Sequence, residues 1–283
     1  MEKISLQKLK KSFATKLSNI YSETEAKPVF TWLIEHYFNA TSTDLLMDKS
    51  LSVSADTLSK YQNALNRLKE GEPVQYILGY TEFYNCHIKV DNNVLIPRPE
   101  TEVLVDWIVS DMDQLKPGKT LSILDLGTGS GCMAIVLAKH LNYPVKAIDI
   151  SPEAIQLAKE NANLNQVSVD FKTLDMNRLD DADDVPDILV SNPPYVLETE
   201  KNQMENKVVD YEPHLALFSK DPLYFYHLIF RYVQQHQKIR YVYLELNHLT
   251  ADAVADLFRS IDHQVCTIRK DMRGNKRFLK WHR

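Results

Sequence analysis

The chain of 283 residues is 44% hydrophobic and 25% charged, with a formal net charge of −5, enough apolar content to bury one large core or two smaller ones. The acidic balance excludes a broadly cationic surface of the kind that holds duplex DNA without sequence preference. No run of about 18 uncharged apolar residues occurs, and Met1 to Lys16 mixes lysines with polar residues and no apolar segment, which speaks against a membrane span or a secretory signal and for the cytoplasm.

In the first third, Val29, Phe30, Leu33, Ile34, Tyr37 and Phe38 recur at three- and four-residue spacing, and Leu58, Tyr61, Leu65 and Leu68 repeat the pattern. Residues 1–70 are therefore predicted to form a small helical bundle. Gly71, Glu72 and Pro73 break that period. Phe83, Ile88 and Val90 then lead through the turn-like Asp91-Asn92-Asn93 into Val94-Leu95-Ile96, a pattern that predicts a β-hairpin linking two domains. Pro97 and Pro99 stop the strand, and Val103, Leu104, Trp107 and Ile108 mark the stripe of a following helix. After Pro117-Gly118 short β-branched runs alternate with helical stretches: Ile123-Leu124, Val145 to Ile148, Val167 to Phe171, Ile188 to Val190 and Tyr241 to Leu246. That alternation predicts a parallel, doubly wound α/β sheet. Val265 to Ile268 and Arg277 to Trp281, separated by Arg273-Gly274-Asn275, predict an antiparallel pair at its end.

Charge is uneven along the chain: residues 1–70 carry a net +2, 71–237 a net −12 and 238–283 a net +5. The last fifteen residues hold seven lysines and arginines against Asp271 alone, which reads as a solvated hairpin or as a local patch for an anionic partner. Cys86, Cys132 and Cys266 are far apart and lack C-x-x-C spacing, so they read as reduced, buried thiols, and no thiolate metal site is supported.

The run Leu121 to Leu126 reads as a strand, followed by Gly127-Thr128-Gly129-Ser130-Gly131 and a helical Met133 to His140. Three of the seven glycines of the chain fall in those five positions. Glycines at a strand-to-helix turn let the backbone bend sharply and come close to a ligand. Asp149, at the end of the second strand and eighteen residues after Gly131, places a carboxylate where ribose hydroxyls can donate to it, while Ser151 is the better cap for the helix beginning near Pro152. The loop reads G-x-G-x-G without the last glycine of the dinucleotide fingerprint, so NAD and the adenosyl part of S-adenosylmethionine both remain open.

Directly after the strand Asp187 to Val190 come Ser191-Asn192-Pro193-Pro194-Tyr195, at the carboxyl edge where doubly wound sheets bind ligands. Pro193 and Pro194 have no N–H to donate, Asn192 adds an amide oxygen, and together they offer acceptors to an NH₂ group. Tyr195 supplies a flat face for a planar substrate. An amide nitrogen is a poor nucleophile because its lone pair is delocalised; two acceptors on its N–H bonds would orient it and favour the charge that develops as it attacks a sulfonium methyl. The proton leaves after transfer, so no shifted general base is required.

The segments Gly71-Glu72-Pro73-Val74-Gln75-Tyr76-Ile77-Leu78-Gly79, Val94-Leu95-Ile96-Pro97-Arg98-Pro99-Glu100-Thr101-Glu102, Asp125 to Gly131, Asn192 to Tyr195, and Tyr211-Glu212-Pro213 with Ala216-Leu217-Phe218 together resemble the HemK/PrmC family of peptide chain release factor glutamine methyltransferases. The resemblance implies a class I methyltransferase, a Rossmann-like doubly wound α/β sheet with an antiparallel end, at residues 100–283. It implies in addition a helical substrate-recognition domain at 1–74 and a hairpin linker at 75–99. The implied reaction moves a methyl group from S-adenosylmethionine, leaving S-adenosylhomocysteine, to the glutamine of the Gly-Gly-Gln loop of class 1 release factors, with neither a membrane nor a nucleic acid as direct partner. Carried over by motif, Gly127, Thr128, Gly129, Ser130, Gly131, Asp149 and Asn192 contact the cofactor. Asn192, Pro193, Pro194 and Tyr195 hold the target amide, with Asn192, Pro193 and Tyr195 as the catalytic set. Met176, after Asp175, stands where the family often has an aromatic residue against the adenine, and a thioether covers a ring less specifically.

A second departure is Glu245-Leu246-Asn247, where the family commonly carries glutamate, glycine and glutamine together. His248 beside it reads as a surface or capping residue. Arg98, flanked by prolines, reads as bordering the substrate channel; for Glu100 and Glu102 that role and a simple helix-dipole role stand equal. Two other activities share these motifs: glutamine methylation of a ribosomal protein, and adenine methylation of a nucleic acid with a flipped base in the Asn-Pro-Pro-Tyr site.

Overall fold

The computed structural model describes residues 2–115, 120–181, 184–197, 200–201, 206–261 and 265–283; the predicted break at Pro117-Gly118 lies outside them. The chain divides into two compact units, one of Met1–Gly79 with Glu205–Tyr211, the other of Tyr80–Met204 with Glu212–Arg283.

The first unit opens with β1 (Glu2–Ser5), α1 (Leu6–Leu17), α2 (Glu23–Phe38), α3 (Ser42–Leu46), β2 (Ser50–Val53), α4 (Ala55–Lys69) and α5 (Val74–Leu78). Ser5, Ser22 and Ser54 start α1, α2 and α4 by accepting from a backbone N–H in the first turn, which satisfies a donor the helix itself cannot. Leu9, Phe13, Phe30, Leu33, Ile34, Tyr61 and Leu65 make its core, and the periodic residues of the sequence are those that turn inward. The short antiparallel β1–β2 pair was not predicted: with four residues each and one buried position in each strand, it carries too little alternation to register.

The second unit begins with a hairpin, β3 (Tyr80–Phe83) against β4 (Cys86–Lys89). Its turn is Tyr84-Asn85, both at positive φ (47° and 61°), and not Asp91-Asn92-Asn93, which makes a separate turn. Val94–Ile96 is no strand. A tyrosine in the left-handed region gives no turn signal in sequence; it is held there because Tyr84 N–H donates to Glu102 (2.8 Å) and its hydroxyl to Asp106 (2.9 Å). Then follow α6 (Pro99–Leu115), β5 (Ile123–Leu126), α7 (Cys132–His140), β6 (Val145–Asp149), α8 (Pro152–Leu164), β7 (Asp170–Thr173), β8 (Ile188–Ser191) and β9 (Val196–Leu197). The chain continues with α9 (Asn206–Tyr211), which belongs to the first unit, α10 (His214–Leu217), β10 (Phe218–Ser219), α11 (Tyr224–Gln235), β11 (Tyr241–Glu245), α12 (Ala251–Arg259), β12 (Val265–Lys270) and β13 (Lys276–His282).

The main sheet runs β12-β13-β11-β8-β5-β6-β7. Its five inner-to-edge members from β11 to β7 are parallel, and β13 and β12 close the other edge antiparallel. Strands β5, β8 and β11 are buried at every residue, as expected of strands with helices on both faces. From β5 the order proceeds to β6 on one side and to β8 on the other, so the carboxyl ends of β5 and β8 flank the point where the winding reverses. In the β12–β13 hairpin four of the basic residues have partners within the unit: Arg269 stacks over Trp107 at 4.0 Å, and Lys276, Arg277 and Lys280 pair with Asp252, Asp271 and Asp111.

Candidate active site

At the reversal point the loop after β5 turns on three glycines at φ of 70°, 52° and 82°. Gly127 and Thr128 N–H both donate to the Ile148 carbonyl at 2.9 Å, which leans the loop on β6. Gly131 caps α7 in the left-handed region, and a Cβ there would stand 3.0 Å from Ala158 Cβ; glycine is the residue that fits. Asn161, buried on α8, donates from Nδ2 to the Ser130 carbonyl (2.9 Å) and exchanges two bonds with the Lys89 backbone (2.8 and 3.0 Å). That one side chain fixes the glycine loop to the hairpin.

Asp149 ends β6 beside the loop. Its Oδ2 accepts from Gly129 N–H at 2.8 Å and its Oδ1 from Ser151 N–H at 3.0 Å, which leaves lone pairs on both oxygens for hydroxyl donors. Burial pushes its carboxyl up, against backbone bonds from Ser151, Gly129 and Ile150 that pull it down. Ser151 caps α8 by accepting from Ala154 N–H. Beneath the loop, wholly buried Asp125 accepts from Thr128 Oγ1 at 2.6 Å. Burial lifts its carboxyl to about 7, the nearby charge of Asp149 adds to the rise, and the Thr128 bond opposes it.

The opposite wall starts where β8 ends. Ser191 Oγ donates to the Leu126 carbonyl (2.8 Å), joining β8 to β5, and Asn192 Nδ2 donates to Thr101 Oγ1 at 3.2 Å. Thr101 in turn donates to Glu245 Oε2 at 2.7 Å, and Tyr195 Oη donates to Glu245 Oε1 at 3.1 Å. Arg98 pairs with Glu212 at 2.5 Å; burial raises the Glu212 carboxyl while the guanidinium lowers it.

Between these walls lies a cavity of about 400 Å³, within the range of small-molecule sites. Gly127, Thr128, Gly129, Ser130, Asp149 and Met176 line one end, and Arg98, Thr101, Asn192 and Pro194 the other. Of the residues singled out in sequence, Gly131, Pro193 and Tyr195 stay out of the lining: Gly131 serves the helix start, Pro193 is buried, and Tyr195 turns its hydroxyl to Glu245. Glu100, Glu102 and exposed His248 are outside it as well. The first end suits a cationic adenosyl ligand. Asp149, Glu153 and Asp175 line it, and Met176 Cε lies 2.9 Å from where a Cβ on Gly127 would stand, so the thioether closes over the loop only because the residue there is glycine. Among the described residues no group of three or more His, Cys, Asp or Glu is placed to hold a metal ion, and no helix is long and apolar enough to cross a membrane. Cys86 and Cys132 are buried free thiols and Cys266 is half-buried.

Comparison with known proteins decides the family. Residues 117–265 match the model of a methyltransferase domain, and residues 9–79 that of the PrmC N-terminal domain. Release factor glutamine methyltransferase of Flavobacterium psychrophilum is 39% identical over 95% of this chain and 95% of its own. The chain belongs to the release factor glutamine methyltransferase family. The namesake from Lactococcus lactis is also 39% identical, over 88% of this chain and 91% of its own. The solved catalytic domain of hMettl16, bound to an RNA hairpin, is 15% identical with a TM-score of 0.56 over 95% of this chain and 90% of its own, which shows the shared class I methyltransferase fold. This family member is thus an S-adenosylmethionine-dependent methyltransferase. Three residues tied into its site carried no role in the sequence reading: Thr101, Glu245 and Asn161. A buried carboxylate or amide in an apolar strand or helix is the available signal for two of them, since such a group is kept only where partners await it.

Proposed function

We propose that the glycine-loop end of the cavity holds S-adenosylmethionine and that Asn192 holds the target amide at the other end. The enzyme then methylates the side-chain nitrogen of the glutamine in the Gly-Gly-Gln loop of class 1 release factors, in the cytoplasm. The observation that carries this reading is the state of Asn192: it lines the cavity, its NH₂ is already engaged by Thr101, and so its carbonyl oxygen is the half left to accept from a substrate N–H. Bound donor supplies an electrophilic methyl on a positively charged sulfur. Gly127 to Ser130 would hold that donor, with Asp149 accepting from the ribose hydroxyls and Met176 against the ring. Asn192 Oδ1 orients the glutamine nitrogen; as the nitrogen–carbon bond forms and the carbon–sulfur pair returns to sulfur, that acceptor favours the positive charge growing on the N–H bonds. The proton then passes to water, and the amide is restored as a secondary one. The ribosomal-protein and adenine alternatives find no support in relatives that match along nearly the full chain.

Asn192→Ala tests the assignment. Single-turnover transfer is expected to fall roughly 100- to 1,000-fold, the cost of removing one group that stabilises developing charge, with S-adenosylhomocysteine affinity unchanged by calorimetry. A rate within threefold of the parent rejects it. One glutamine offers too few contacts to be told from every other, so recognition needs remote surface; we assign it to the helical unit of residues 1–79. Full-length enzyme should therefore methylate intact release factor far better than a short Gly-Gly-Gln peptide. Equal efficiency on both would make recognition local.

A further inference from the structure

Resting on the reading of Asn192 just given, we propose that Thr101 and Glu245 form a buried relay that sets the polarity of the Asn192 side chain. Glu245, 2% exposed at the end of β11, takes Thr101 Oγ1 on one carboxylate oxygen and Tyr195 Oη on the other. Burial pushes the Glu245 carboxyl up, while the Thr101 and Tyr195 hydrogen bonds and the Arg277 charge pull it down; in its ionised form it has no proton to give, so both hydroxyls donate to it. A hydroxyl has a single proton. Thr101, 3% exposed, therefore meets Asn192 with a lone pair, and Asn192 answers with its NH₂. The carbonyl oxygen is left for the substrate. The two ends of an asparagine amide are nearly the same size, so shape alone does not choose between them; the hydrogen-bond network does.

Reversing the first bond reverses the rest. A Thr101 hydroxyl released from Glu245 would donate to Asn192 Oδ1, the amide would turn over, and its NH₂ would face the NH₂ of the target glutamine, donor against donor. Two further bonds hold the relay in register: Tyr226 Oη donates to the Glu245 carbonyl at 2.9 Å, and Asn247 Nδ2 donates to the Tyr195 carbonyl at 3.1 Å. The strand end β11 thus grips the Asn-Pro-Pro-Tyr turn by side chain and backbone together. Glu245 does not line the cavity and Thr101 acts through Asn192, so both are positioning residues.

A mutant cycle tests the relay. Thr101→Val keeps the shape and removes the hydroxyl; Thr101→Ser keeps the hydroxyl. In single turnover with saturating S-adenosylmethionine and intact release factor, Thr101→Val should lose about 10- to 100-fold, the scale of a misplaced reacting group, with KM for release factor and S-adenosylhomocysteine affinity unchanged, and Thr101→Ser should recover most of it. Because the effect runs through Asn192, adding Thr101→Val to Asn192→Ala should cost nothing further, a non-additivity that a general loss of stability does not produce. If Thr101→Val does not fold, Glu245→Gln goes through the same cycle, since a carboxamide cannot accept both hydroxyls on separate oxygens. Additive losses, or full activity in the relay variant while Asn192→Ala is crippled, overturn the relay and leave the site assignment standing; an active Asn192→Ala overturns the assignment itself.

Discussion

On the glycine-loop side of the cavity most of the fixing bonds are short-range: Thr128 reaches Asp125 three residues away, Ser151 reaches Asp149 two away, and Gly129 reaches Asp149 across 20, with Asn161, which reaches Ser130 across 31 and Lys89 across 72, the exception. On the acceptor side they cross the chain: Tyr195 to Glu245 spans 50 residues, Asn192 to Thr101 91, Arg98 to Glu212 114 and Thr101 to Glu245 144. The first side takes shape with one strand-loop-helix unit and its neighbour. The second exists only after β8, β11 and α6 have packed, so its geometry depends on the whole sheet, and loop closure over such distances is settled by the fold rather than by local preference.

The sharpest test uses the carboxyl buried under the local side. Asp125 is lifted from 3.8 to about 7, chiefly by burial. Between those values the folded protein holds a proton that the unfolded chain has released, so stability falls as pH rises through that window and is level above it. Asp125→Asn removes this dependence. In denaturant unfolding the variant should gain on the parent from pH 4 to 7, by about 4 kcal/mol in full, while methyl transfer at saturating donor is retained. Parallel stability curves for the two proteins would show that Asp125 ionises as freely in the fold as out of it.

Next in size is Asp149→Ala, which should weaken S-adenosylhomocysteine binding about 10- to 100-fold, the worth of hydrogen bonds to a charged acceptor, with Asp149→Glu recovering part. The transfer rate at saturating donor should hold, since Asp149 belongs to the donor side alone. A fall in that rate without a fall in affinity would erase the distinction between the two sides.

The same contrast explains what was legible in sequence. Gly127 to Gly131 and Asp149 announce themselves by spacing, because their geometry is dictated by backbone conformation within about 20 residues, and Asn192-Pro193-Pro194-Tyr195 does so by position after a strand. The alternation of β5 through β11 with helices was readable for the same reason. The hairpin turn was not: its left-handed Tyr84 is stabilised by Glu102 and Asp106 on α6, a tertiary override of turn propensity. Nor was the role of Glu245. In sequence it is one acid closing an apolar strand; only the packed structure shows two hydroxyls aimed at it. Arg98 and Glu212 were both marked by motif, yet nothing in a motif says that one guanidinium and one buried carboxylate meet across 114 residues.

The smallest effect is expected at Tyr195, and it separates two accounts of that residue. From sequence its ring offers a face to a planar substrate. In the structure the ring packs against the core of the second unit, it is absent from the cavity lining, and its hydroxyl serves Glu245. If the face were the working part, Tyr195→Phe would be silent and Tyr195→Leu damaging. If the hydroxyl is, Phe already removes it: Glu245 loses one of its two donors, Thr101 remains, and the relay is weakened without being reversed. Tyr195 acts on Asn192 only through Glu245, so only about 1 kcal/mol of the roughly 1.5–3 kcal/mol of a hydrogen bond to a charged group should reach the transfer step, a fall of roughly fivefold in Tyr195→Phe, with donor affinity unchanged. Combined with Thr101→Val, the phenylalanine change should cost less than it does alone, because both bonds act on one carboxylate. A Tyr195→Phe enzyme that matches the parent in rate would return the residue to the ring-face account and confine the long-range half of the site to Thr101, Asn192 and Glu245.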